Sequence, residues 1–144
     1  MRAESRFIFF PGNNAPRLVR VAAAVYWIVF LEFVFRIVVG VGVAPFGTHQ
    51  QVETALTLFG LLAAMTISYA FTIMRLSAGK LWARNVALVL TAFLIATTLY
   101  HLASGALSFG RNDIVGLIIV VAETVAGIFL LTSESTTWFK SKVR

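Results

Sequence analysis

Four long apolar runs, separated by short polar breaks rich in glycine, proline and asparagine, dominate the chain. They predict helices over residues 18–43, 52–74, 82–104 and 114–132. Each run has about the 20 residues that cross a hydrocarbon core of about 30 Å at a rise of 1.5 Å per residue. Pro45 and Gly47 lie in the first break, Ser77, Gly79 and Lys80 in the second, and Gly105, Gly110 and Asn112 in the third. Thr48 and Gln51 have the spacing of a capping box at the start of the second helix, and Asp113 is placed to cap the fourth. Connections this short make consecutive helices antiparallel neighbours. The expected fold is all-α: an integral-membrane, antiparallel four-helix bundle forming a single domain over 1–144.

Composition supports this reading. The chain is 59% hydrophobic and 12% charged, too apolar for an ordinary water-soluble domain. It has no cysteine, which removes disulfide, thiolate-nucleophile and thiolate-metal chemistry. The first run is longer than the apolar core of a signal peptide, and Pro45 directly after Gly42-Val43-Ala44 makes a poor cleavage junction, so a retained helix is expected.

Twelve basic residues against six acidic ones give a net charge of +6, and their placement says more than the total. Arg2, Arg6, Arg17 and Arg20 precede the first span; Arg75, Lys80 and Arg84 flank the second break; Lys140, Lys142 and Arg144 end the chain. Only Arg111 falls in an outer connection. By the positive-inside rule both termini are expected in the cytoplasm, with anionic lipids as partners at that face and no need of nucleic acid. Trp82, Arg84 and Trp138 are assigned to the cytoplasmic interface, and residues 133–144 are expected to leave the membrane as a polar, basic tail. Phe7 to Phe10, ahead of a turn at Pro11 to Asn14, are expected to anchor the head in the interface or to dock on a partner.

Ionisable residues within spans are costly in lipid and mark sites or structural pairs. The run from Val21 to Val43 carries two, Glu32 and Arg36, one helical turn apart. The fourth helix carries Glu123 with no base in its own span. Glu32 lies 11 residues from Val43, Arg36 lies 7 from it, and Glu123 lies 9 from Ile114, so the three fall at similar depth. Arg36 is expected to bridge Glu32 and Glu123, a buried polar or partner site whose excess negative charge water, a partner or a proton must compensate. Gly116, Ala122, Ala126 and Gly127 suggest tight packing around Glu123. His49, Glu53 and His101 form an outer-mouth polar cluster. With a carboxylate from Glu32 or Glu123 they offer donors to a metal, but their spacing matches no known site, and no metal or other cofactor is assigned. The stripe Thr66, Ser68, Tyr69 and Thr72 reads as helix packing.

The segment Gly79-Lys80-Leu81-Trp82-Ala83-Arg84 resembles the G-x-x-W-A-R-like opening of the third helix in a loose class of small four-span bacterial inner-membrane proteins; DoxX-like proteins resemble the chain more distantly. The resemblance implies a multi-pass protein of the bacterial inner (plasma) membrane and supplies no catalytic residues. Nucleotide-binding, zinc-protease and serine-hydrolase motifs are missing. The expected function is a non-enzymatic accessory or assembly subunit of a larger membrane complex or a homo-oligomer. The alternative is an oligomeric transport component for a small solute, ion or proton, using the Glu32/Arg36/Glu123 layer.

Overall fold

A computed structural model describes residues 7–41 and 49–143, with the backbone alone at residues 40, 41 and 49–51. Five helices follow in order: α1 (Arg17–Val41), α2 (His49–Ser77), α3 (Leu81–Ala103), α4 (Arg111–Leu131) and a short α5 (Ser133–Ser141). The first four are each long and apolar enough to cross a membrane. They pack as a square, each against the next and α4 against α1, so that α1 faces α3, and α2 faces α4, across the two diagonals. The capping box at Thr48 and Gln51 lies outside the described residues. At α4 the N-cap is Gly110 rather than Asp113; Asp113 sits in the first turn and accepts the backbone N–H and hydroxyl of Ser108 at 2.9 and 2.8 Å.

Buried positions repeat at helical spacing. Val19, Ala22, Ala23 and Tyr26 form the inner stripe of α1; Ala83, Ala87 and Thr91 that of α3; and Glu123, Ala126, Gly127 and Leu130 that of α4. On α2 the buried residues are Thr72, Ile73, Leu76 and Ser77. All of these lie in one half of the bundle, the half that carries the start of α1, the α2–α3 turn and the end of α4. Small side chains concentrate there, so backbones approach closely. We call this the terminal half, and the other the loop half. Outward faces are almost wholly apolar and exposed, as lipid requires.

α5 corrects the expectation of a departing tail. Thr132 takes one extended step (φ −58°, ψ 152°), and the chain then folds back under the bundle. Ser135 donates to the Phe129 carbonyl at 2.8 Å, and Phe139, fully buried, joins the core. Arg84 donates to Thr136 Oγ1 at 3.1 Å and lies over the Phe139 ring, so it holds α5 as well as sitting at the end of the membrane span. Gly79 closes the α2–α3 turn at φ +77°, and a Cβ there would meet Lys142 Cγ at 2.9 Å and Trp138 Cη2 at 3.0 Å. The glycine is therefore required both by its left-handed backbone and by the α5 side chains resting on it. Trp82 remains half exposed beside Phe71.

The head also folds back. The Phe9 carbonyl accepts the Trp27 indole N–H at 2.6 Å and the Ser77 hydroxyl at 3.2 Å, tying the segment before α1 to both α1 and α2. Phe7 and Phe9 stay 67% and 63% exposed, apolar surface suited to lipid.

A cavity in the loop half, floored by crossed hydrogen bonds

In the terminal half the facing positions are alanine, glycine and tightly fitted larger side chains. Above Tyr26, Tyr69, Thr91 and Glu123 this stripe ends, and the helices line an open cavity of about 730 Å³. All four long helices line it. Gly116 faces this space, with nothing within 4 Å of the position its Cβ would take, whereas a Cβ on Gly127 would touch Leu88 and Thr91 at 3.6 Å. The two glycines were both expected to tighten the packing around Glu123. Only Gly127 does; Gly116 widens the cavity.

At the bottom of the cavity each long helix contributes one polar side chain, of which Tyr69 and Glu123 line the space while Tyr26 and Thr91 lie in the packed layer at its base. Tyr69 on α2 donates to Glu123 Oε1 on α4 at 2.9 Å. Tyr26 on α1 and Thr91 on α3 share a hydrogen bond of 2.9 Å. Tyr26 is fully buried and Glu123 is only 4% exposed. Thr66 and Thr72, from the stripe that includes Tyr69, donate to the carbonyls of Leu62 and Ser68 in their own helix, so Tyr69 alone among these three carries a bond across the bundle.

The expected Arg36 bridge does not form. Arg36 Nε donates to Glu32 Oε1 within α1, and Glu123 has Tyr69 as its partner; among the described residues no cation pairs with it. The physical reason is proximity: an acid one turn away on the same helix is reached with no help from tertiary packing. Glu32, Arg36 and Glu123 nevertheless line the same cavity. Glu32 and Arg36 are partly exposed on its wall, with side chains 29% and 44% exposed.

Of the outer-mouth cluster, His101 lines the cavity near its rim, together with Asp113, and its ring stands against Tyr100 at 5.8 Å. Glu53 is exposed on α2 and does not line the cavity. The His49 side chain lies outside the described residues. No three His, Asp or Glu side chains among the described residues converge as metal ligands.

One side of the cavity is thin. α2 and α3 make the sparsest contact of the four neighbouring pairs, and Met65 and Ser68 on α2, with Leu90 and Phe93 on α3, line the cavity while remaining exposed. This seam faces the zone that lipid occupies around a spanning helix. The arrangement therefore combines an apolar chamber, a buried carboxylate at its floor and a side opening level with hydrocarbon.

No family model, no curated protein and no solved structure matches the chain.

Proposed function

We propose that the protein is a membrane-embedded binding protein for a small amphiphilic molecule, whose apolar body fills the cavity and whose polar group meets Glu123. The observation that carries this reading is the cavity itself. Its volume of about 730 Å³ falls within the roughly 300–1,000 Å³ of small-molecule sites, which combine apolar walls with a few orienting polar groups. A bundle evolved only to pack would fill that space, because a void forfeits the contacts of its lining. Glu123 and Tyr69 give the chamber one polar end, and the α2–α3 seam gives a molecule dissolved in lipid a route in.

The accessory or assembly role expected from the sequence fits this reading when the bundle holds a hydrophobic molecule for a larger membrane complex or a homo-oligomer docked on its apolar exterior. Transport through a single bundle is less well supported, because the packed terminal half and Phe139 lie below the floor; a transport role for the Glu32/Arg36/Glu123 wall requires a path between copies.

The test is saturable binding of single-chain C12 amphiphiles to the purified protein in nonionic detergent, counted by native mass spectrometry and by the rise in unfolding temperature that a ligand of the folded state produces. One molecule per chain is expected. Gly116→Leu and Val120→Trp, which fill the cavity from α4, are expected to abolish binding while the protein stays folded. Binding that is absent from the wild type, or undiminished in both filled variants, removes the proposal.

A further inference from the structure

Resting on the binding reading, the inference here concerns the class of ligand. The protein as a whole is basic, with 12 Lys and Arg against six Asp and Glu. The cavity inverts that balance: Glu32, Asp113 and Glu123 line it, half of all the acidic residues, against Arg36 as its one basic residue. With His101 neutral, the lining has a formal charge of −2.

These charges are not equivalent. Arg36 is already engaged by Glu32, so that pair is neutral. Asp113 stands at the rim, satisfied by Ser108. Glu123 is the deep one: 4% exposed, bonded at Oε1 by Tyr69, with no partner for its second oxygen and no cation beside it among the described residues. A carboxylate buried in an apolar chamber with a single phenol donor is undercompensated, since buried charges are stable chiefly when paired and hydrogen-bonded. A neutral alcohol arriving at that oxygen adds one hydrogen bond and leaves the charge. An anion meets repulsion from Glu123 and Asp113. An ammonium supplies both the missing donor and the missing charge, in a low-dielectric space where the pairing is strongest. Phe33, Tyr69 and Phe93 also line the cavity, and aromatic faces favour cations further.

We infer that the cavity is a site for a cationic amphiphile, an alkyl or polycyclic amine whose protonated nitrogen pairs with Glu123 at the floor. Its apolar body occupies the space beside Gly116 and reaches the α2–α3 seam. The Glu32–Arg36 pair serves as a neutral wall that keeps a second acid from competing for the ligand's charge.

The experiment compares dodecylamine, dodecanol and dodecanoate on the full chain in nonionic detergent. Dodecylamine is expected to bind at least tenfold more tightly than dodecanol, with dodecanoate weakest. Glu123→Gln is expected to bring the amine to within about twofold of the alcohol while leaving alcohol binding in place. Arg36→Gln, which releases the Glu32 carboxylate into the cavity, is expected to widen the preference for amine severalfold; this variant and the wild-type series carry the test if Glu123→Gln does not fold. Equal binding of amine and alcohol by the wild type, or an amine preference that survives Glu123→Gln, overturns the inference and leaves the binding reading standing. Failure of all three probes removes both.

Discussion

The Tyr69 hydroxyl and Glu123 Oε1 meet at 2.9 Å across the diagonal between α2 and α4, while Tyr26 and Thr91 meet at the same distance across the other diagonal, between α1 and α3. In a square bundle, diagonal helices are not packing neighbours, so ridges and grooves cannot hold them. Here each diagonal is held by one long side chain reaching a shorter partner. With no side chain of its own, Gly127 leaves room for the Tyr26–Thr91 bond, with the Tyr26 hydroxyl 4.0 Å from where a Cβ would stand.

The α2–α4 bond is expected to contribute roughly 1.5–3 kcal/mol, the range for a hydrogen bond to a charged group. A double-mutant cycle with Tyr69→Phe and Glu123→Leu, read by thermal unfolding in detergent, is the direct measure. Additive losses, with no coupling, would show that the two side chains are only neighbours.

Gly116 and Gly127 occupy the same helix but opposite circumstances. Leucine at 127 overpacks the contact with Leu88 and Thr91 and is expected to cost about 1–3 kcal/mol. Leucine at 116 enters open space and is expected to stay within about 0.5 kcal/mol of the wild type, with helix propensity in its favour. Equal destabilisation by the two would mean that the cavity is closed in solution.

Docking of α5 hangs on Phe139 and on the turn beneath it. Phe139→Ala removes a fully buried ring and is expected to cost roughly 3–5 kcal/mol or to release α5 outright. Gly79→Ala, forced into φ +77° against Trp138 and Lys142, is expected to cost about 1–2 kcal/mol. Protease cleavage near Thr132 should rise in both variants; protection equal to the wild type counts against the docked helix.

Trp27→Phe keeps the ring and deletes the N–H that reaches the Phe9 carbonyl. A loss of about 1 kcal/mol is expected, expressed as faster hydrogen exchange over residues 7–15 with little change in the exchange of α3 and α4. A uniform acceleration across all the helices would instead place Trp27 in the global core.

The four long helices were legible because lipid demands apolar runs of a set length, and hydropathy reads that demand directly. Glu123 also stood out, as a lone acid in an apolar span. Its partner did not. Depth counting selects the nearest opposite charge at the same level, which was Arg36, but it carries no rotational information and gives no weight to an uncharged phenol. Tyr69 was visible only as one of the four polar residues of a stripe on its helix, the other three being threonine or serine and suited to bonding with their own backbone. α5 escaped notice because nine mostly polar residues give no hydropathy signal. The trace it left was Ser135 and Phe139 four apart, one turn of a helix, behind the hydroxyl-rich start at Thr132. The cavity left no trace in the sequence, since empty space depends on which side chains fail to meet, and Gly116 reads like any other packing glycine.

The crossed pair of hydrogen bonds has a mechanical consequence. Below it the helices are clamped by small residues, Phe139 and α5; above it they are joined by looser walls and a thin seam. The floor is therefore placed as a fulcrum, and the loop halves of α2 and α3 as the arms of a pair of forceps. A molecule wedged between them is expected to part the tips about Tyr69 and Thr91, while the terminal half, on the other side of the pivot, keeps its grip.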